Sequence, residues 1–174
     1  LNTVSFRGGC ITGPNHRGAK LHGFLSYLVK ITLKKKTYTI IGHKGKQVRD
    51  NIHSSDLVNC FWEFYKKPKK GEVYNVGGGR FSNCSILEAL DLIEQSKNIR
   101  IKRNFLKTPR VGDHVWYITD LKKFKNHYPN WTQKYNTNKY EMLDENLFLK
   151  KFSDSKISLC SKEYSTYVEH ILGD

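Results

Sequence analysis

The sequence predicts an α/β fold, because short apolar strands alternate with amphipathic helices along most of its 174 residues. Two units show the alternation best: a strand over residues 48–52 precedes a helix over 54–65, and a strand over 72–76 precedes a helix that begins at Ser85. Hydrophobic residues make up 38% of the chain, which is enough for the core of one domain. We therefore expect one α/β domain with an appended C-terminal segment.

The first third of the chain is predicted to contain a helix flanked by strands. Residues 3–6 form a candidate buried strand that leads into a glycine-rich loop over 8–18. Apolar side chains at helical spacing predict an amphipathic helix over 22–31. Strands over 38–41 and 48–52 enclose the turn GHKGK, and we expect them to form a strand pair or a strand–loop–strand unit.

The middle of the chain begins with the helix over 54–65, which is expected to end before Pro68. Its spacing predicts that four apolar side chains face the core: Leu57, Val58, Phe61 and Phe64. A strand over 72–76 and three glycines follow. Ser85 and Glu88 then have the spacing of a capping box, which predicts the start of the next helix.

The last part of the chain is harder to interpret. We expect a strand over 99–105, a loop over 108–113 and a short helix over 120–127 that is capped by its aspartate. After Trp131 the pattern weakens, although residues 140–151 and 162–172 have helical spacing. The sequence therefore predicts a domain over 1–131 and an atypical, helical tail over 132–174.

The chain is strongly basic, with 30 Lys and Arg against 16 Asp and Glu and a net charge of +14. Such an excess is typical of nucleic-acid-binding proteins. Here 23 of the basic residues are lysines spread over the whole chain, which favours a solvated surface over a nucleic-acid groove. No apolar run approaches the ~20 residues of a membrane helix, so we expect no membrane partner.

The four cysteines, at positions 10, 60, 84 and 160, have no CxxC spacing. Neither the cysteines nor the histidines form a pair with metal-ligand spacing, so we expect no metal site. Scattered cysteines in apolar segments are typical of a reducing compartment, which predicts a cytoplasmic protein. The chain begins at Leu1 on a strand with nothing before it to pair with, and we expect it to be a piece of a longer protein.

Arg49 is the first candidate for ligand binding. It lies in the segment QVRDNIH, which ends a predicted strand just before a helix. A planar guanidinium binds two phosphate oxygens at once, whereas a lysine acts as a point charge. The alternative is a surface ion pair with Asp50 or Asp56, which would contribute about 0–1 kcal/mol. On the residues alone, both interpretations stay open.

Several spaced motifs together resemble a known family. They are FRGGCITGPNH, then YTIIGHKGKQVRDNIHSSDL, then GEVYNVGGG with SILEAL, then PRVGDHVWYITDLKKF. In this order they resemble the C-terminal half of the extended short-chain dehydrogenase/reductase family, in particular its NAD-dependent nucleotide-sugar epimerases and dehydratases. The loop CITGPNH and the run LHGFLSYLVK most resemble the CDP-paratose/CDP-tyvelose 2-epimerases. The resemblance covers residues 1–131 and implies the C-terminal portion of a Rossmann-type fold, with the last strands of its parallel sheet and the small substrate-binding domain.

The resemblance implies residues that bind the nucleotide part of a substrate. Arg49 and Arg110 resemble the family's arginines for the diphosphate, and Asp113 resembles the residue that reaches the nucleotide ribose. Gly23 and Phe24 align with a pair that touches the nucleotide sugar in some relatives.

The resemblance also implies a contact with cofactor and sugar at Gly9 and Cys10. These residues lie in the loop that passes the nicotinamide and the sugar in relatives. Many relatives have an asparagine where this chain has Cys10, so the contact at this position differs outside the 2-epimerase group.

The function implied by the resemblance is that of an isomerase. Such an enzyme oxidises its nucleotide sugar transiently with tightly bound NAD, and a CDP-sugar is the leading substrate class. The family's dinucleotide fingerprint and its catalytic tyrosine–lysine pair belong to the other half, so we expect no catalytic residue in this chain and no activity from it alone. A homo-oligomeric full-length form stays open. The alternatives are a non-enzymatic basic protein that binds polyanions and an inactive remnant.

Two local patterns imitate the missing half. Tyr65 and Lys69 have the spacing of the catalytic pair, but Pro68 interrupts any helix between them. Tyr135 and Lys139 have the same spacing, in a segment whose asparagines favour a turn. The three glycines at 77–79 imitate a dinucleotide fingerprint, but no acidic residue follows at the expected distance, so a tight turn is the better interpretation.

Overall fold

The structure, a computed structural model, describes residues 2–13, 16 and 23–137. Within these ranges the strands are β1 (Val4–Gly8), β2 (Cys10–Thr12), β3 (Tyr38–Ile41), β4 (Val48–His53), β5 (Glu72–Val76), β6 (Asn83–Ser85), β7 (Arg103–Leu106) and β8 (Trp116–Tyr117). The helices are α1 (Phe24–Leu33), α2 (Ser54–Lys66), α3 (Ile86–Lys97) and α4 (Lys122–His127). This alternation confirms the predicted α/β class. The helices expected over 140–151 and 162–172 lie outside the described residues.

Most strand pairs are parallel. β1 pairs with β5, β3 with β7, and both β2 and β8 with β4, whereas β6 runs antiparallel to β4. β4 is therefore the strand that organises the molecule, because three other strands pair with it. The strand pair considered for residues 38–41 and 48–52 does not form. A 3-10 turn at His43–Gly45 separates β3 from β4, which gives the strand–loop–strand unit instead.

The helix starts follow from their capping residues. His53 is the N-cap of α2, and its Nδ1 accepts a hydrogen bond from the Ser55 backbone N–H at 3.2 Å. The capping box of α3 forms as predicted: Ser85 Oγ accepts from the Glu88 N–H at 3.1 Å, and Glu88 Oε2 accepts from the Ser85 N–H at 2.7 Å. Both caps satisfy backbone donors that have no partner within the helix. They fix where each helix leaves the strand before it.

Two clusters of buried apolar side chains form the interior. The first joins α1, β3 and α3, and includes Leu28, Ile40 and Leu90. The second lies under β5, α2 and α4, and includes Tyr74, Val76, Phe124 and Trp131. Several ring pairs of the second cluster meet edge to face, an arrangement that aromatic pairs favour; Tyr74 and Phe124 have their centroids 5.2 Å apart at 84°.

Two expectations about burial were wrong. The strand expected over 3–6 is β1, but it is not buried, because only Val4 and Phe6 pack against the second cluster while the alternate side chains are exposed. In α2, Val58 and Phe61 are exposed, at 58% and 44%, while Asp56 is fully buried. The helix therefore turns a narrower apolar face to the core than its spacing predicted, and a distant segment covers Asp56.

That distant segment spans residues 131–137. The Trp131 ring nitrogen donates to the Asp56 backbone oxygen at 3.2 Å, and the backbone N–H groups of Lys134 and Tyr135 donate to the Asp56 carboxylate at 3.1 Å. A buried carboxylate needs such donors, since an unpaired one would be costly. The division between a domain and a tail at residue 131 stays a prediction. None of the helices in the described ranges has the length and apolar character needed to cross a membrane.

Candidate functional site

A cavity of about 550 Å³ opens beside β2 and β4, between the start of α1 and the loop before β8. Its size is typical of a small-molecule site. Every site residue predicted from the sequence lies on its wall: Gly9, Cys10, Gly23, Phe24, Arg49, Arg110 and Asp113. These residues come from four separate stretches of the chain, which the fold brings together.

Arg49 forms an ion pair across the cavity wall. Its Nη2 lies 2.6 Å from Asp113 Oδ1, and its Nη1 donates to the Val48 backbone oxygen at 2.8 Å. Both charged side chains are only partly exposed, at 17% and 16%. A guanidinium has five N–H donors, so these two contacts leave three for a ligand. The arginine is held in place and still able to bind an anion.

The partners considered for Arg49 on sequence alone are both engaged elsewhere. Asp50 is fully buried, and its Oδ2 accepts from the backbone N–H groups of Gly79 at 2.8 Å and Thr119 at 3.0 Å. Asp56 binds the segment that contains Lys134, as described above. Arg49 therefore forms no surface pair with either acid, and its partner is 64 residues away.

Arg110 and Asp113 lie on one turn at the rim of the cavity. The Asp113 N–H donates to the Arg110 backbone oxygen at 3.1 Å, and Gly112 between them has a φ of 74°, which favours glycine. Strand β8 follows this turn and pairs with β4, so that Tyr117 is opposite Arg49. The pairing places the exposed Arg110 side chain beside the same cavity as Arg49.

Cys10 lies on β2 next to β4 and is opposite Asn51. Burial and the nearby Asp50 carboxylate raise the pKa of the Cys10 thiol above its usual range, although Arg49 acts in the opposite direction. The thiol is therefore protonated at neutral pH. A protonated thiol is a weak hydrogen-bond donor and a poor nucleophile, so the geometry favours a contact role for this cysteine.

The opposite wall is built around Gly23. This residue has a φ of 65°, and a Cβ placed on it would lie 2.5 Å from Cε1 of the His16 ring. A side chain larger than hydrogen would displace the ring. Burial lowers the pKa of His16, so the imidazole presents a neutral face to the cavity.

Two polar residues of the cavity wall formed by β2 and β4 are not among the residues predicted from the sequence. Thr12 and Asn51 line the cavity and are 3% and 1% exposed. The alternation of side chains along a strand identifies Asn51, because it lies two residues beyond Arg49 and therefore on the same face of β4. The strand character of residues 10–12, hidden within an apparent glycine-rich loop, would have identified Thr12.

Among the patterns that imitate the family's other half, the glycines at 77–79 and the pair at Tyr65 are structural, whereas Lys139, the partner considered for Tyr135, lies outside the described residues. The glycines at 77–79 form a close turn, where a Cβ on Gly78 would overlap the Ser82 backbone oxygen and lie 2.5 Å from that of Asn51. Backbone atoms approach Gly78 so closely that no side chain fits at this position. Tyr65 lies in the last turn of α2, which ends before Lys69. In the described ranges no three potential metal ligands come together.

Residues 1–77 match the profile of the NAD dependent epimerase/dehydratase family. The chain is 30% identical over 134 residues to CDP-paratose 2-epimerase of Salmonella typhi, a match that covers 72% of this chain and 39% of that enzyme. It is 31% identical over 125 residues to UDP-arabinose 4-epimerase 1 of Arabidopsis thaliana, with 71% of this chain and 29% of that enzyme covered.

Solved structures show the same fold. The structure of UDP-glucuronic acid 4-epimerase from Bacillus cereus, in complex with UDP-glucuronic acid and NAD, superposes with a TM-score of 0.71 at 25% identity, over 86% of this chain and 45% of that one. The UDP-glucose 4-epimerase of Thermotoga maritima superposes with a TM-score of 0.70 at 22% identity, over 87% and 47%. The chain belongs to the NAD-dependent epimerase/dehydratase family, and it spans less than half the length of these relatives.

Proposed function

We propose that this chain is the nucleotide-sugar-binding half of an NAD-dependent epimerase, with a CDP-sugar as its substrate. The observation that carries the proposal is the cavity, which brings two arginines and an aspartate from distant segments to one wall. A diphosphate carries at least two negative charges, and guanidinium groups match its oxygens in geometry as well as in charge. The similarity to an enzyme named for a CDP-sugar supports the choice of base.

Each charged residue has a role in this proposal. Arg49 binds the diphosphate with the donors that remain after its contacts to Asp113 and Val48. Arg110 approaches the same phosphates from the rim. Asp113 holds the Arg49 fork in orientation and has a second carboxylate oxygen for the ribose. Gly23 and Phe24 close the other side of the nucleotide sugar.

The residues on the floor of the cavity fit the nicotinamide end of NAD. Gly9 presents only backbone there. A larger residue would not fit, because its Cβ would lie 2.9 Å from Asp50 Oδ1 and 3.2 Å from Thr119 Oγ1. Cys10 adds a neutral thiol. A floor that presents backbone and a neutral thiol suits a flat ring that exchanges a hydride. NAD bound there would supply the exchange of a hydride with the sugar, and the residues of this chain would orient the sugar.

Activity measurements test the division of labour. The chain alone, supplied with NAD and a CDP- or UDP-sugar, is expected to give no epimerised product, because no helix in its described residues holds a tyrosine and a lysine four residues apart. It is nevertheless expected to bind the nucleotide sugar, which calorimetric titration measures. Turnover by the chain alone would contradict the assignment to a substrate-binding half.

A further inference from the structure

Asn51 is a buried polar side chain on the cavity wall to which the proposed function gives no role. It is 1% exposed and lies on β4 two residues beyond Arg49. Its Nδ2 donates to the Arg49 backbone oxygen at 3.1 Å and lies 3.8 Å from Cys84 Sγ. These two contacts use both hydrogens of the amide group inside the protein.

The oxygen of the same amide is available. Across the described part of the chain, no hydrogen bond uses Asn51 Oδ1. Because Asn51 lines the cavity, a ligand group that donates a hydrogen bond has access to this acceptor. The two contacts of the amide nitrogen fix the orientation of the side chain, so its oxygen is already in place to accept a hydrogen bond.

A donor lies beside this acceptor. Cys10 is the residue opposite Asn51 across the β2–β4 pair, and it lines the same cavity. Burial and the Asp50 carboxylate raise the pKa of its thiol, which keeps the hydrogen on the sulfur. A hydroxyl group both donates and accepts, so neighbouring acceptor and donor groups suit it. A phosphate, which only accepts, does not use Asn51 Oδ1.

The spacing along β4 indicates which part of the ligand carries this hydroxyl group. Residues i and i+2 of a strand are about 6.6 Å apart and project from the same face. If Arg49 binds the diphosphate, a group at Asn51 belongs to the next unit of the ligand. Cys10 lies on the side proposed for the nicotinamide and the reacting sugar, so this unit is the transferred sugar and not the nucleoside.

We propose that Asn51 is a specificity-determining residue that accepts a hydrogen bond from a hydroxyl group of the sugar attached to the diphosphate. The inference rests on the proposed function of the cavity. It adds a polar contact between β4 and the sugar. Arg49 then binds the charged diphosphate, and Asn51 discriminates between sugars by their hydroxyl groups.

The test compares two ligands that differ only in the sugar. Asn51→Leu keeps the size of the side chain and removes its acceptor. By calorimetric titration it is expected to weaken the binding of CDP-glucose about 3- to 10-fold, the loss of one neutral hydrogen bond, and to change the binding of CDP by no more than about twofold. Equal losses for both ligands, or no loss for either, would overturn the inference. Arg49→Ala, by contrast, is expected to weaken both ligands.

A second measurement uses the unaltered protein, so it does not depend on how the variant folds. CDP-glucose analogues that each lack one hydroxyl are titrated in turn. One analogue is expected to bind about 3- to 10-fold more weakly than CDP-glucose. In Asn51→Leu the same analogue is expected to lose nothing further, because the two changes remove one contact. Independent, additive losses would overturn the inference while leaving the proposed function intact. Failure of the unaltered protein to bind CDP and CDP-glucose would refute both.

Discussion

Replacing Arg49 by alanine is expected to weaken the binding of a CDP-sugar about 10- to 100-fold. The magnitude follows from the geometry: two of its five donors are used by Asp113 and Val48, and the remaining three suffice for a bidentate contact with the diphosphate. Hydrogen bonds to charged groups contribute about 1.5–3 kcal/mol, and each 1.4 kcal/mol is a factor of ten. Because Arg49 is 17% exposed, water competes for the ligand and a value near the lower end is expected.

The assay is calorimetric titration of the chain with CDP-glucose, after circular dichroism has shown that the variant is folded. Arg80→Ala is the matched control, because Arg80 is an exposed arginine that does not line the cavity. Arg49→Lys keeps the charge but loses the fork, and an intermediate affinity is expected. Equal losses for Arg49→Ala and Arg80→Ala would refute the reasoning, since they would indicate binding by the overall positive charge.

Three further predictions concern the fold that positions the cavity. Gly78→Ala should lower the free energy of unfolding by at least about 2 kcal/mol in urea denaturation, because its Cβ would overlap backbone atoms. Gly8→Ala is the control and should cost far less, because the nearest atom to its Cβ is 3.6 Å away. Similar losses for the two variants would show that the turn relaxes. Ser85→Ala should cost about 1 kcal/mol in the same measurement by removing half of the capping box, and an unchanged stability would mean that water replaces the cap. Burial raises the pKa of Glu94, but the Ile101 N–H and the Arg103 guanidinium outweigh it and hold that pKa below its usual range. The stability that this carboxylate contributes is therefore present above about pH 4.3, the pKa of an unfolded glutamate, and is lost as the pH falls through its lower pKa in the folded protein. Glu94→Gln should be less stable than the unaltered chain at neutral pH and equally stable in acid. A stability difference that does not depend on pH would contradict this.

Local signals in the sequence predicted the regular elements well. β3 and β5 have the predicted bounds, and the capping box at Ser85 forms because both of its residues are close in sequence. The sequence predicts a loop over 10–12, because glycines at 8, 9 and 13 flank this stretch and conceal a three-residue strand that pairs with β4. Strands β6 and β8, of three and two residues, pair with the same strand.

Long-range contacts explain what the sequence concealed at the site. The ion pair of Arg49 with Asp113 joins residues 64 apart, so the nearer Asp50 and Asp56 were the natural candidates. Those two acids are instead buried and accept hydrogen bonds from backbone N–H groups of distant segments, which no local sequence pattern predicts. The cavity residues themselves were predicted through a resemblance in the order of motifs. Asn51 lies within one of these motifs, but only its place on β4 identifies it as a cavity residue.

The most direct test of the central claim is the dependence of binding on base and salt. The chain is titrated with CDP-glucose, UDP-glucose and inorganic tripolyphosphate at about 50 and about 200 mM salt. A nucleotide-sugar site predicts saturable binding at one site, a preference between the two bases and only a modest loss at the higher salt, since two arginines carry the contact. Tighter binding of tripolyphosphate, indifference to the base and a steep loss with salt would contradict it and identify a basic surface that binds polyanions.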